Sequence, residues 1–237
     1  MSGDSFPRTA LVTGASSGIG RAVALRLAEG GTDVLMVARG EGRLAAAAGE
    51  VGGRMVPADV STPEGITRIG EEARSLWEDA PELVVNAAGT FLIAPFVSTS
   101  ADDVETQLRG NLLGPFRVIR EFLPAMLERG SGRIINIGSV AGRTALPGNA
   151  AYSASKYGLR GMHEVLVTEL RGSGVHATLV DPSATDTPLW DPVDPDRSDE
   201  LPSRGEMLDA GRVAEAVVFA ATRPRGVEIP TLSIQAG

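Results

Sequence analysis

With 237 residues, 43% of them apolar and 22% charged, the chain has the balance of a globular protein that fills one sizeable core, not of a disordered one. Its 30 acidic and 22 basic residues give a formal net charge of −8, a surface that repels phosphate backbones and anionic lipid and argues against nucleic acid and membrane as partners. The absence of cysteine excludes disulfides and thiolate metal sites. The two histidines, His163 and His176, are not spaced as a metal pair and are expected at a helix surface and a strand end.

The start, MSGDSFPRTALVTG, lacks a basic segment followed by an apolar one, so no secretory leader is expected. No apolar run approaches a bilayer span, and a cytoplasmic protein is the expectation. From there short apolar β-rich runs alternate with helical periodicity. The pattern predicts strands at 9–13, 33–37, 54–57, 83–86, 133–137, 176–180 and 229–234. Helices are predicted near 18–30, 41–50, 63–78, 102–129, 153–171 and 210–222. Runs such as LVV, IINI and VLMV are apolar on both faces, as a parallel sheet covered by helices on both sides requires. The expected fold is therefore one α/β domain over 1–237, with a doubly wound, Rossmann-like parallel sheet of about seven strands. The one long irregular stretch, at about 182–207, is rich in proline and acid and leaves the end of a sheet strand, where a substrate lid is expected.

Directly after the first strand comes Thr13-Gly14-Ala15-Ser16-Ser17-Gly18-Ile19-Gly20, followed by a helical segment. Glycines there let the backbone turn tightly and approach a pyrophosphate, which the helix N-terminus then faces with free N–H groups. A strand–turn–helix placement of this kind points to a dinucleotide, and the Gly-Lys-Ser/Thr ending of an ATP or GTP loop is absent. The second strand ends Val37-Ala38-Arg39, so no acid is placed to hold the adenosine ribose, while a guanidinium is placed to hold a 2′-phosphate. NADP(H) is accordingly expected in preference to NAD(H), with Ser16 and Ser17 adding hydroxyl contacts.

Tyr152 lies four residues before Lys156, the only lysine among the basic residues. At i and i+4 on a helix the two side chains share a face. An ammonium beside a phenol favours the phenolate, so the pair can give a proton to a carbonyl oxygen or take one from an alcohol. Ser139 follows the fifth predicted strand and can hold the same oxygen as it gains charge. Leu146, Pro147, Leu189, Trp190 and Met207 are candidates for an apolar pocket wall.

Taken together, the TGASSGIG run at 13–20, Asp59-Val60, Asn86-Ala87-Ala88-Gly89, Asn111, Ser139 and Tyr152-Ser-Ala-Ser-Lys156 resemble the short-chain dehydrogenase/reductase family, in order and spacing, over about 9–234. The resemblance implies an oxidoreductase that moves a hydride between NADP(H) and a carbonyl or alcohol carbon of a small molecule. It implies that Tyr152 is the proton donor and that Lys156 both tunes it and binds the nicotinamide ribose. Ser139 would polarise the carbonyl, and Asn111 would hold a water linking Lys156 to solvent. Asp59 would contact adenine, Asn86 would stabilise the central sheet, and Thr187 would touch the carboxamide end of the cofactor. Two departures stand out: Ala87 replaces a second asparagine, and Ser183 follows Pro182 where the family has glycine.

A nucleotide-sugar epimerase or dehydratase shares the Tyr/Lys spacing, but the short chain and the TGxxxGxG turn argue against it. A dinucleotide-binding regulator without chemistry is the alternative of another class; retention of Asn111, Ser139, Tyr152 and Lys156 argues against that. Helices at 102–129 and 153–171 carry apolar residues beyond one stripe, including Leu112, Leu113, Phe116, Leu159, Met162 and Val165, and the family resemblance implies a homodimer or homotetramer built on them.

Overall fold

A computed structural model describes residues 5–237; the reading of the first four residues as the start of a leaderless chain lies outside them. The chain runs β1 (Thr9–Thr13), α1 (Gly18–Glu29), β2 (Asp33–Ala38), α2 (Glu41–Val51), β3 (Arg54–Pro57), α3 (Pro63–Trp77) and β4 (Leu83–Asn86). It continues through α4 (Ala101–Leu108), a π-helical segment (Arg109–Leu113), α5 (Gly114–Arg129), β5 (Gly132–Ile137), α6 (Ala150–Glu169) and β6 (Val175–Pro182). Two short strands, β7 (Thr185–Asp186) and β8 (Leu208–Asp209), then precede α7 (Ala210–Ala221) and β9 (Thr231–Ile234). Seven strands form one sheet in the order β3-β2-β1-β4-β5-β6-β9, and every pairing is parallel.

Residue alternation along the strands explains the two layers of helix. Ala10, Val12, Val34, Met36 and Val85 face one side and pack with Val23 and Leu27 of α1, Leu44 of α2 and Val213 and Val217 of α7. Leu11, Leu35, Val84 and Ile134 face the other and pack with Ile69 of α3, Val118, Phe122 and Met126 of α5 and Leu166 of α6. A strand buried on both faces must be apolar at every position, which is what the short runs in the sequence show. Because β1 is followed outward by β2 on one side and flanked by β4 on the other, the connections leave in opposite directions and open a crevice above their carboxyl ends.

Several boundaries differ from the sequence expectation, each for a local reason. The helix expected over 102–129 is broken into α4 and α5 by the π-helical segment. Pro115 has no N–H for the Asn111 carbonyl four residues earlier, so regular α-helical pairing cannot pass through. The last strand starts at Thr231 because Pro230 precedes it. The lid expected at 182–207 is not structureless: β7 pairs with β8, clamping its two ends together, and three 3₁₀ turns lie between them. His163 is not a helix-surface residue but a buried one, packed where α6 meets the sheet. No helix among the described residues is long and apolar enough to cross a membrane.

Candidate active site

The glycine turn shows what β1 is built to hold. Gly14 adopts φ +68°, and a Cβ there would stand 2.7 Å from the main chain of Ala87 and Ala88. A Cβ on Gly20 would meet the Gly14 carbonyl. Thr13 ties the two loops together: its Oγ1 accepts the N–H groups of Ala87 and Ala88, each at 3.1 Å. The N-terminus of α1 is left open. Ser17 makes no side-chain cap and the first turn holds no acid, whereas Thr62, Ser100 and Asp209 cap α3, α4 and α7. Uncapped N–H groups and an uncompensated dipole suit an anion.

This turn forms one wall of a cleft of about 520 Å³. Gly14, Ser16, Ser17, Gly18, Ile19 and Gly20 line it from β1 and α1. Arg39, Asp59, Val60, Ala87, Gly89 and Thr187 close it from the neighbouring loops. Arg39 is exposed, and neither it nor Arg43, which also lines this end, has a hydrogen-bond or ion-pair partner among the described residues. Asp59 accepts the Ser61 N–H at 2.8 Å, which turns the chain after β3. Asn86 is not among the residues that line the cleft. It is buried and donates to Asn136 Oδ1 at 2.9 Å, joining β4 to β5 as a sheet-stabilising residue should.

The cleft opens into a second cavity of about 1090 Å³, and Ile19, Ala87, Gly89 and Thr187 belong to both. Ser139, Tyr152, Lys156, Asn111 and Pro182 line this larger part. Its outer wall includes Leu146, Pro147, Leu189 and Trp190 but not Met207, which is buried elsewhere. Tyr152 stands in the first turn of α6, with Lys156 one turn on. Lys156 Nζ lies 5.7 Å from the phenol ring centroid and donates to the Ile137 carbonyl at 2.9 Å. Ser139, just past the end of β5, accepts the Ala141 N–H at 3.1 Å and is near enough to the phenol to oppose the rise of its pKa. Three side chains from two elements thus converge on one place.

Electrostatically the pair differs from the simple expectation. Burial pushes the Tyr152 phenol up to about 12, and the Asp181 charge pushes the same way against the Ser139 hydrogen bond. Burial pushes the Lys156 ammonium down to about 8, opposed by Asp181. The phenol is therefore protonated throughout the neutral range, ready to donate, and the lysine titrates close to it. Asp181 is a group that sequence reasoning missed. It is 1% exposed, accepts the Ser139 N–H at 3.0 Å and is paired with Arg160. Burial raises its own carboxyl above the usual range, with Arg160 as the leading opposing influence. Its signal was an acid at the end of an otherwise apolar strand.

Asn111 is fully enclosed, and its side-chain amide is committed to protein. Its Oδ1 accepts the Thr90 N–H at 2.8 Å, and its Nδ2 reaches the Thr90 carbonyl at 2.9 Å. The same nitrogen lies 2.9 Å from Ser155 Oγ and 3.1 Å from Gln107 Oε1. The Asn111 main-chain carbonyl, for its part, meets Pro115 four residues on, which has no N–H to give it. His163 has a different role from that of a ligand. It is held between Asn136 Nδ2 at 3.2 Å and the Pro230 carbonyl at 2.9 Å, and burial lowers its pKa. Its Nδ1 accepts and its Nε2–H donates, which fixes one neutral tautomer. No cluster of metal-ligating side chains occurs among the described residues.

The comparisons with known proteins agree with this geometry. A family model described as short chain dehydrogenase matches residues 8–198. An uncharacterised oxidoreductase of Staphylococcus epidermidis is 32% identical over 230 residues, 96% of each chain. Among solved structures, a closed form of serine dehydrogenase complexed with NADP+ is similar with TM-score 0.86 at 30% identity, covering 95% of this chain and 94% of that one. A metagenomic short-chain oxidoreductase in complex with NADP has TM-score 0.82 at 28% identity, covering 97% of both chains. The chain belongs to the short-chain dehydrogenase/reductase family, nicotinamide-dinucleotide oxidoreductases that transfer a hydride to or from a carbonyl or alcohol carbon of a small molecule.

Proposed function

We propose that this protein is an NADP(H)-dependent reductase whose Tyr152 delivers the proton to the carbonyl oxygen of its substrate, and that it works as a homo-oligomer in the cytoplasm. The observation that carries the chemistry is the meeting of Ser139, Tyr152 and Lys156 in a cavity continuous with the glycine-turn cleft. When bound, the nicotinamide supplies or receives the hydride. Gly14, Ser16, Ser17, Gly18, Ile19 and Gly20 would hold the pyrophosphate with α1, and Asp59, Val60, Ala87 and Gly89 would line the adenosine side. Arg39 and Arg43 would hold the 2′-phosphate, and Thr187, Pro182 and Lys156 the nicotinamide end.

The protein's own part is acid–base work. Ser139 holds the substrate oxygen, and Tyr152 gives it a proton as it becomes an alkoxide, a base far stronger than a phenolate. The Lys156 ammonium then stabilises the phenolate left behind. With its pKa near 8, Lys156 can return a proton to Tyr152 at neutral pH. In the oxidative direction each transfer reverses. Asn111 is proposed to hold the water that refills Lys156, through its main-chain carbonyl. The stretch at about 182–207 is proposed as the substrate lid, hinged where β7 meets β8.

The test is consumption of NADPH at 340 nm with a panel of neutral ketones and aldehydes, by wild type and by Tyr152→Phe. The variant should bind NADPH as tightly as wild type and lose about 10²-fold or more in turnover, the scale of general-acid catalysis. Wild-type inactivity, or near-normal turnover by the variant, would remove this function. A regulator that binds the dinucleotide without chemistry would show binding alone.

A further inference from the structure

Charge is distributed unevenly around the larger cavity. Of the side chains that line it, only Lys156 and Glu200 are ionisable to full charges at neutral pH. Lys156 is 7% exposed and held at the floor by the Ile137 carbonyl, so it serves the phenol and not a distant part of a substrate. The arginines around the cavity are turned to other uses. Arg160 pairs with Asp181, Arg204 with Asp186 and Asp191, and Arg143 donates to Ser233 at 3.0 Å; none of them lines the cavity. Glu200, by contrast, is exposed, has no ion-pair partner among the described residues and lines the cavity.

The walls are mainly apolar. The Phe91 ring stands edge-on to Tyr152, with centroids 4.9 Å apart and planes at 83°, and its centroid lies 4.7 Å from that of Trp190. Phe91 follows Thr90, whose backbone Asn111 clamps, so this aromatic shelf is set by the same contacts that set the proton donor. Val140, Leu146 and Pro147 also line the cavity. A volume of about 1090 Å³ exceeds the roughly 300–1,000 Å³ that takes drug-sized ligands, so a ring fits beside the nicotinamide end.

Resting on the carbonyl-reductase reading above, we infer that the substrate is an uncharged carbonyl compound bearing an aromatic or alicyclic ring, and that acids of the same skeleton are rejected. A carboxylate entering here would leave water for a site whose one cation is buried and held by the Ile137 carbonyl, with an acid in the same lining. A ring laid on Phe91 and Trp190 gains both buried area and aromatic contact. The chain's likeness to serine dehydrogenases therefore does not bring an amino-acid substrate with it, since this cavity offers nothing to pair with an α-carboxylate.

The test compares methyl 4-acetylbenzoate with 4-acetylbenzoate, which share ring and ketone and differ in a charge remote from the reacting carbon, with acetone as the ringless control. With NADPH, kcat/KM should favour the ester over the acid by about 30-fold or more, a difference of about 2 kcal/mol. Glu200→Gln should narrow that gap several-fold through the KM of the acid. Trp190→Ala should raise the KM of the ester about 10-fold while leaving acetone nearly unaffected. Dissociation constants from quenching of tryptophan emission in Tyr152→Phe give the same ranking independently of turnover. If no compound is reduced but the ester binds and the acid does not, the reductase function fails and this inference stands. Equal turnover or equal binding of ester and acid, no advantage of the ester over acetone, or no binding of either at millimolar concentration overturns it.

Discussion

Arg39 leaves β2 with no partner among the described residues, and Arg43 brings a second free guanidinium from the first turn of α2 to the same end of the cleft. A solvated surface arginine would be free as well, so the discriminating measurement is cofactor preference. A charge-assisted contact to the 2′-phosphate is worth about 1.5–3 kcal/mol, a preference on the order of 10- to 100-fold. Arg39→Ala should weaken NADPH by about 10-fold while changing NADH little, and the double change with Arg43→Ala should bring the two cofactors close to parity. Dissociation constants for both cofactors at one salt concentration decide it, and equal affinities in wild type would cancel the NADP assignment. At this scale the sequence was readable where chemistry repeats along the chain: the glycine turn, Arg39 at a strand end, Tyr152 and Lys156 one helical turn apart. Arg43, Thr13 and Asp181 were not readable, because their roles arise only when separate segments meet. Thr13 is 74 and 75 residues from the N–H groups it accepts, and Asp181 is 42 residues from Ser139. His163 fails for the same reason: on the helix alone nothing shows that Asn136 and Pro230 enclose it.

The break between α4 and α5 joins sequence to function at the scale of an element. Asparagine is a poor helix former and Pro115 removes a donor, yet the apolar periodicity runs through both, so one helix over 102–129 was expected; that the break takes π-helical form, and turns the Asn111 amide onto Thr90, has no local signal. This makes Asn111 a positioning residue for the β4 exit loop as well as the proposed holder of a water. A leucine there would leave the Thr90 N–H and carbonyl without their partner, and each unpaired buried group costs about 1–3 kcal/mol. Asn111→Leu should therefore lower stability to denaturant by about 2–4 kcal/mol, counting partial rescue by water. It should also lower kcat and raise KM for a ring-bearing ketone together, because Phe91 moves with Thr90. Measured unfolding midpoints and kinetics check this. Stability equal to wild type would show that the clamp is incidental, and an unchanged pH profile of kcat would count against the relay. The stretch at 182–207 illustrates the opposite limit. Prolines announced irregular structure, but two-residue strands such as β7 and β8 carry no periodicity and cannot be read from sequence.

For the whole molecule, strand–helix alternation and right-handed crossovers were enough to give the doubly wound sheet, yet they leave open which helix faces are covered by more than solvent. Six helix residues were expected at an interface, and the fold divides them. Leu159 is 1% exposed and belongs to the interior, Met162 packs against the core, and Leu112 is half-buried with Gly158. Leu113, Phe116 and Val165 are 39%, 46% and 57% exposed. On α6, Val165 continues a row with Gly161 and Tyr157 at intervals of four, and a Cβ at Gly161 would meet nothing within 4 Å. A helix face of small and apolar residues at that spacing is flat enough for a second helix to approach closely. Covering it with a symmetry mate would take Tyr157 and Val165 out of water, as an isologous contact does. The protein is therefore expected to be a dimer or tetramer by light scattering at micromolar concentration. Gly161→Arg with Val165→Asp, two changes on an exposed face far from the core, should yield a folded monomer with the far-ultraviolet circular dichroism of wild type. A monomeric wild type, or an assembly untouched by both changes, would show that this face is simply solvated and that any association uses another surface.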